Sequence, residues 1–282
     1  MNINDILNYY EDVKEDFKFQ GISSVRIKIM ISLYEGPKKT KDLRELTGIP
    51  ASTLLHGINE LEKQKLISRK GEYFFLSEIG FISTLKLVDT IKTRRLFKNT
   101  KKLWLNHDIE SIPQNLLMKI GDLSNSNLIE DELDDMFHSH RTYLQIVSNS
   151  KEIKSISPIF YPDYTETFAR LIKENVDVEL ILTGEILTKT INSLNSEDLN
   201  EFKRLLSKNK LKIWEIKEDI KIAFTVTDSS MILGLFSADG IYDPNLILVS
   251  DHNDAITWGN KLFDYHKKKS QKISMEYFEQ FS

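Results

Sequence analysis

"TGIPASTLLHGINELEKQKLISRKGEYFFLSEIG", from Thr47 to Gly80, contains a turn, an amphipathic run and a short alternating segment with a basic tip. Gly48 supplies the turn, since glycine takes left-handed backbone at no steric cost. Pro50 opens the next helix, where its missing N–H costs little, and that helix is expected to run to about Gln64. Leu54, Ile58 and Leu61 fall at i, i+4 and i+7 and are expected to face a core, with Leu66 and Ile67 closing its floor. The opposite face shows Ser52, Thr53, His56, Gly57 and Glu60. "KLISRKGEYFFLS" alternates like a β-hairpin with Lys70-Gly71 at its turn.

Upstream, Asn4 to Gln20 has an amphipathic helical pattern, with Ile6, Leu7, Tyr10, Val13 and Phe17 near helical spacing. Ser23 is positioned to cap "SVRIKIMISLYEG", which stops at Gly36-Pro37. Its Val25, Ile27, Ile29, Met30, Ile31 and Leu33 make it the expected central helix. Thr40 is expected to cap "TKDLRELTG", with Leu43 and Leu46 as its apolar stripe. Helix, short helix, turn, helix and hairpin in that order make a winged helix-turn-helix. Small polar residues near a helix N-terminus let it enter the major groove, so Ser52, Thr53 and His56 are candidate DNA contacts. Arg69 and Lys70 at the wing tip suit a backbone or minor-groove contact. Lys38, Lys39 and Lys41 begin the short helix that crosses the DNA backbone in this motif.

The charge distribution agrees with that assignment. The 282 residues carry a net charge of −4, yet residues 26–105 hold 17 Lys/Arg against 8 Asp/Glu, while the remainder holds 21 against 34. A basic segment within an acidic chain is the footprint of a local polyanion contact, and double-stranded DNA is the expected partner. Cysteine is absent, which rules out disulfides, thiolate metal sites and Cys nucleophiles and suits a reducing cytoplasm. No run of about 18 apolar residues is present, so no membrane span is expected. The acidic, polar start is unlike a signal peptide.

Ser77 to about Leu105 forms a long helical run, a connector or a dimer seam, and a homodimer is expected. Breaking signals in "NHDIESIP" place the next boundary. The expected organisation is a DNA-binding domain over 1–77, a connecting or dimerisation helix over 78–105, and an α/β ligand-sensing domain over 106–282, giving an α+β chain. In the last domain, 152–160, 176–183, 210–216, 221–236 and 246–251 have strand-like patterns. Segments 129–149, 163–175, 184–193, 196–208 and 252–269 have helical ones. Trp214, Asp228, Tyr242, Asp243 and Trp258, with Phe224 and Phe236, cluster in the strand-rich end as candidates for a small-molecule effector site.

No catalytic motif is evident. Phospholipase-D chemistry needs H-x-K-x4-D; His266-Lys267-Lys268 supplies its start, but position 273 is Ile. His266 sits at a helix end, where positive charge favours the dipole. His138 and His140, at i and i+2, point to different sides of a helix and are expected to be surface residues rather than metal ligands. "DLSNSNLIEDELDDM" is expected to be a solvated loop and helix start. No P-loop or G-x-G-x-x-G is present, so neither a metal nor a cofactor is expected.

"IMISLYEGPKKTKDLRELTGIPASTLLHGINELEKQKLISRKGEYFFLSEIG" resembles the winged helix of archaeal regulators of the ArsR/MarR-like type. "LWLNHDIESIPQNLLMKIGDLSNSNLIE", "ISPIFYPDYTETF", "VDVELILT" and "LGLFSADGIYDPNLILVSDHNDAITWGNKLFDYHKKKS" resemble methanogen transcriptional regulators with a FilR-type sensor domain. The resemblance spans nearly the whole chain. It implies a cytoplasmic, archaeal, dimeric regulator whose sensor domain is distantly phospholipase-D-like, as in the sugar-sensing TrmB regulators. A ligand-responsive transcription factor is therefore expected. The alternatives are a phosphodiesterase using the α/β half and an adaptor whose winged helix binds protein.

Overall fold

A computed structural model describes residues 2–174, 176–194, 196–274 and 277–278 and divides the chain into two compact units, Met1–Thr90 and Ile91–Ser282. Met1, Asn175 and Ser282, at the expected ends of the 1–77 span, the 163–175 helix and the 106–282 span, lie outside the described residues.

The first unit begins with α1 (Ile3–Ile22), capped by the Asn2 side chain, and α2 (Ser24–Tyr34), where Ser23 Oγ accepts the Arg26 N–H at 3.4 Å. Then come β1 (Lys38–Lys39), α3 (Thr40–Thr47), α4 (Ala51–Lys63), β2 (Ile67–Lys70) and β3 (Tyr73–Leu76). Thr40 is the first residue of α3 and not its cap. The Asp42 carboxylate accepts the Lys39 N–H at 3.0 Å, which places the cap at Lys39. Gly48 ends α3 at φ 68°. Lys70 still pairs with Tyr73, so the hairpin turns at Gly71-Glu72, one residue beyond the expected Lys70-Gly71. Gly71 takes the left-handed conformation there, at φ 60°.

The core of this unit joins Ile29, Met30 and Leu33 to Leu43, Leu54, Ile58, Leu61, Leu66, Ile67 and Phe74. The i, i+4, i+7 spacing thus places its residues inside. Ile31 and Leu46, expected to be apolar contacts, are exposed. Gly57 does not lie on the outward face of α4. A Cβ there would meet Val25 Cγ1 at 2.8 Å and Ile29 Cδ1 at 2.9 Å, so the glycine lets α4 sit close against α2. Arg26 fastens the same pair of helices, its guanidinium 2.8 Å from Glu60 and 3.9 Å from the Phe19 ring centroid.

Helix α5 (Glu78–Asn106) starts where Ser77 Oγ accepts the Gly80 N–H at 3.1 Å. It breaks at Thr100, with φ −128° and ψ 24°. The Thr100 hydroxyl donates to Leu96 O at 2.7 Å and accepts from Trp104 Nε1 at 2.8 Å.

In the second unit, α6 (Gln114–Leu117) and a 3-10 turn (Ile120–Leu123) precede β4 (Asn127–Glu130), α7 (His138–Ser148), β5 (Glu152–Ser157) and α8 (Pro162–Lys173). There follow β6 (Asp177–Thr183), α9 (Gly184–Ser193), α10 (Ser196–Ser207), β7 (Leu211–Ile216), β8 (Ile222–Thr227) and β9 (Met231–Phe236). The last elements are β10 (Tyr242–Ser250), α11 (Asn253–Lys268) and β11 (Gln271–Lys272). They build an eight-stranded sheet in the order β11-β7-β6-β5-β8-β9-β10-β4. β5, β6 and β7 are parallel, joined by helical crossovers; the other pairings are antiparallel. Residues 221–236 form the β8–β9 hairpin, in keeping with the hairpin-connected antiparallel strands expected over 221–250. The expected 129–149 helix is instead a strand, a loop and the shorter α7, because residues 127–130 pair with Val249–Leu246 of β10. The same pairing puts part of the "DLSNSNLIEDELDDM" stretch in the sheet. Both edge strands are short, which limits pairing with other chains.

Trp258 is buried, and its Nε1 donates to Leu116 O at 3.0 Å. His266 is buried too, rather than a charged group at an open helix end, and its Nε2 lies 2.9 Å from Ser111 O. Burial pushes its pKa below the ordinary histidine value, which favours the neutral ring.

Candidate nucleic-acid interface and ligand cavity

In the first unit, β3 runs between β1 and β2, so Lys38, Phe74 and Arg69 stand opposite one another, as do Lys39, Tyr73 and Lys70. Directly opposed residues share a sheet face. Phe74 is buried, so Arg69 lies on the inner face. Its guanidinium is 5.4 Å from the Phe74 ring centroid, and its Nε donates to Gly71 O at 2.8 Å. The row of Lys39, Tyr73 and Lys70 occupies the other face. Lys39 Nζ is 2.8 Å from Glu72 and 5.0 Å from the Tyr73 centroid. Glu72 holds the Lys39 pKa up, and Lys39 holds that of Glu72 down, so both stay charged.

The remaining candidates lie on helices. Ser52, Thr53 and His56 are exposed on α4, and His56 Nε2 is 3.6 Å from Glu60. Lys41 is exposed in the first turn of α3, 3.9 Å from Glu45. The structure thus gathers four of the candidate cations on one small sheet and leaves a polar stripe on α4. Leu55 and Asn59, exposed on that stripe, were missed. The signal was present, because 52, 55, 56 and 59 repeat the helical interval of the buried set out of phase.

In the second unit a cavity of about 310 Å3 opens between the sheet and the N-terminal ends of α7 and α8. Its floor is Ser155, Ile156 and Ser157 of β5 with Phe224 and Thr225 of β8. The site therefore lies near the carboxyl end of a parallel strand, where the sheet changes from parallel to antiparallel. Ser155 Oγ is 2.9 Å from Thr225 Oγ1 and donates to Phe224 O at 3.1 Å, while Tyr143 OH is 3.3 Å from Thr225 Oγ1. The opposite wall is a packed set of rings. Tyr164 lies 4.5 Å from Tyr143, 4.9 Å from Tyr161 and 5.4 Å from His140, between centroids. Burial pushes the phenol pKa values of Tyr143, Tyr161, Tyr164 and Tyr242 up, so these hydroxyls remain protonated. A smaller apolar chamber of about 60 Å3 adjoins it, sharing Tyr143, Tyr161 and Tyr164 and reaching Phe168, Ile186 and Phe202.

Of the sequence candidates, Tyr242 and Phe224 line this cavity. Trp214 and Trp258 are core residues. Asp228 Oδ1 accepts the Lys151 and Glu152 N–H groups at 2.8 and 3.3 Å, which fixes the start of β5. Asp243 lies 3.1 Å from His107 Nε2, and Phe236 packs on Tyr242 with centroids 5.4 Å apart. His140, expected to be a surface residue, lines the cavity. The missed residues Tyr143, Tyr161 and Tyr164 had a signal: aromatic pairs at i, i+3 in 140/143 and 161/164, each at the start of a helix. Among the described residues no group of three His, Asp, Glu or Cys is arranged to hold a metal ion. No described helix is long and apolar enough to cross a membrane.

Comparison with known proteins bears on both units. Residues 14–93 match the family model for the N-terminal domain of the methanogenesis regulatory protein FilR1, and residues 136–269 match that for its middle domain. The FilR1 of Methanothrix harundinacea (strain 6Ac) is 28% identical over 269 residues, which is 93% of this chain and 59% of that protein. The chain thus spans about three fifths of its relative's length. Among solved structures, TrmBL2, described as an archaeal chromatin protein, aligns over 93% of this chain and 98% of its own at 12% identity and a TM-score of 0.42. Phosphatidylserine synthase from Haemophilus influenzae Rd KW20 aligns over 52% of this chain and 40% of its own at 10% identity and a TM-score of 0.36. With both family models in sequence order over most of its length, the chain belongs to the FilR1 family of methanogenesis regulatory proteins.

Proposed function

We propose that this chain is an archaeal, cytoplasmic transcriptional regulator whose winged helix-turn-helix binds double-stranded DNA and whose second unit senses a small molecule. The exposed polar stripe of α4 together with the basic three-stranded sheet carries the reading. Ser52, Thr53 and His56 meet base edges or phosphates, Lys39 and Lys70 meet the backbone from one face of the sheet, Lys38 meets it from the row it shares with Arg69, and Lys41 meets the phosphate beside α3. Arg69, packed on Phe74, positions the wing and reaches DNA with its terminal nitrogens. The matching relative is a regulatory protein, which favours this role over phosphodiester hydrolysis. The buried, hydrogen-bonded His266 is also unsuited to act as a nucleophile.

Mobility shift across a salt series tests the reading. Six or more phosphate contacts weaken binding about a thousandfold between roughly 50 and 200 mM salt. Lys38→Ala with Lys70→Ala is expected to cut affinity at low salt and lower the magnitude of the salt slope by about two. A salt-independent affinity would instead support the protein-binding adaptor.

The dimer expected for such a regulator has a seam on α1. Ile3, Ile6, Tyr10, Val13 and Phe17 follow intervals of three, four, three and four residues, and all five are exposed. That alternation is the a/d pattern of a coiled coil, and a second copy of α1 is its complement. Val13→Glu is expected to shift the chain from dimer to monomer in sedimentation equilibrium without loss of the winged-helix fold. A dimer that persists unchanged places the seam elsewhere, with the 78–105 helix as the next candidate.

A further inference from the structure

The cavity in the second unit says what kind of molecule it takes. None of the described residues lining either chamber is Lys or Arg, while Asp131 and Asp163 both line the larger one. The helix N-termini at its mouth would ordinarily attract an anion. Here each already has a carboxylate beside it. Asp131 Oδ1 accepts the Ser139 N–H at 2.6 Å at the start of α7, and Asp163 lies in the first turn of α8. An anion entering the cavity would meet two carboxylates. The hydroxyls of the floor are also largely committed, since Ser155, Thr225 and Tyr143 bond to one another and Ser157 Oγ donates to Ile159 O at 2.8 Å. What the walls offer instead is ring surface, from Tyr143, Tyr161, Tyr164 and Tyr242, backed by negative charge.

Aromatic rings with nearby carboxylates and no lysine or arginine attract an organic cation through the ring quadrupole, most strongly where water is excluded. The one side chain of the lining that reaches Asp163 is His140, its Nε2 3.3 Å from Oδ2, which an ammonium head would displace. The adjoining chamber, walled by Phe168, Ile186 and Phe202, suits an alkyl group. We propose that the second unit binds an organic ammonium ion, a protonated amine or quaternary ammonium, with its charged head near Asp163 and the tyrosines and its alkyl part toward the apolar chamber. This rests on the reading of the second unit as a sensor, but only for what binding does, not for the binding itself.

The test separates the two. Calorimetry on the full chain without DNA compares choline with its uncharged isostere 3,3-dimethyl-1-butanol and with butanoate. Choline is expected to bind at least about tenfold tighter than the alcohol, with no binding of butanoate. Asp163→Asn, at an exposed position compatible with folding, is expected to weaken choline about fivefold and leave the alcohol unchanged. Tyr164→Phe, which keeps the ring, is expected to stay within about threefold of the parent, whereas Tyr164→Leu loses about tenfold. Equal affinity for choline and the alcohol, tighter binding of butanoate, or binding of none of the three overturns the proposal. Choline binding that leaves DNA affinity unchanged would overturn the sensor role and leave the ligand class standing.

Discussion

Gly80→Ala is expected to destabilise the first unit by at least about 3 kcal/mol, because the added carbon has no room. A Cβ built on Gly80 lies 1.8 Å from Leu66 O and 3.2 Å from Leu66 Cα, both backbone atoms that no rotamer change can move. Leu66 O is also the acceptor for the Ser77 N–H at 3.0 Å and the Ser77 hydroxyl at 3.2 Å. Relief would therefore require shifting the start of α5 away from the floor of the winged helix and breaking those bonds. Gly21→Ala is the matched control. It is also helical, a Cβ there meets nothing within 4 Å, and it is expected to be neutral or to stabilise by up to about 1 kcal/mol. Urea unfolding followed by circular dichroism reads both, and equal midpoints for the two variants would contradict the close approach.

Trp258→Ala is expected to cost the second unit about 3–5 kcal/mol. The ring is among the largest fully buried side chains, packed with Phe224, Phe263 and Leu262 between α11 and the sheet. Truncation leaves a cavity and strips Leu116 O of its partner. Trp258→Phe keeps most of the packing and loses the indole N–H, so about 1–2 kcal/mol is expected. Denaturant midpoints of the three proteins give the order directly; a Phe variant as unstable as the Ala variant would show that the hydrogen bond, not the packing, dominates. A ligand-contacting tryptophan would instead be tolerated with modest loss of stability, so the same series tells core from site.

That distinction was not legible in the sequence, and the reason is physical. Trp214, Phe224 and Trp258 carry the same local pattern whether they fill a core or line a cavity, because periodicity reports which face of a strand or helix a residue takes and not what lies across from it. Leu54, Ile58 and Leu61 were legible, since a helix with one apolar face has one place to put it. Gly57 was not, because a glycine among outward residues looks neutral until the neighbouring helix is in position. The segment 129–149 failed for a different cause. Residues 127–130 take a strand only because β10, far along the chain, offers an edge. Tyr143 and Tyr164 lie in helices with ordinary amphipathic patterns and Tyr161 just before the second of them, and it is the sheet that brings the three together into the site.

The order of strands also sets what the chain meets while it is being made. In the first unit every strand pairing falls between Lys38 and Leu76, so it completes early in synthesis, as N-terminal domains generally do. The second sheet cannot. β5 is made long before β8, which is the strand that covers its free edge, and β4 waits longer still for β10. A nascent chain that pauses between Thr183 and Ile222 therefore carries β5 and β6 with the β5 edge unpaired, the template on which strands of other chains add. Until Thr227 has emerged and β8 has paired with β5, that edge stays open to such addition.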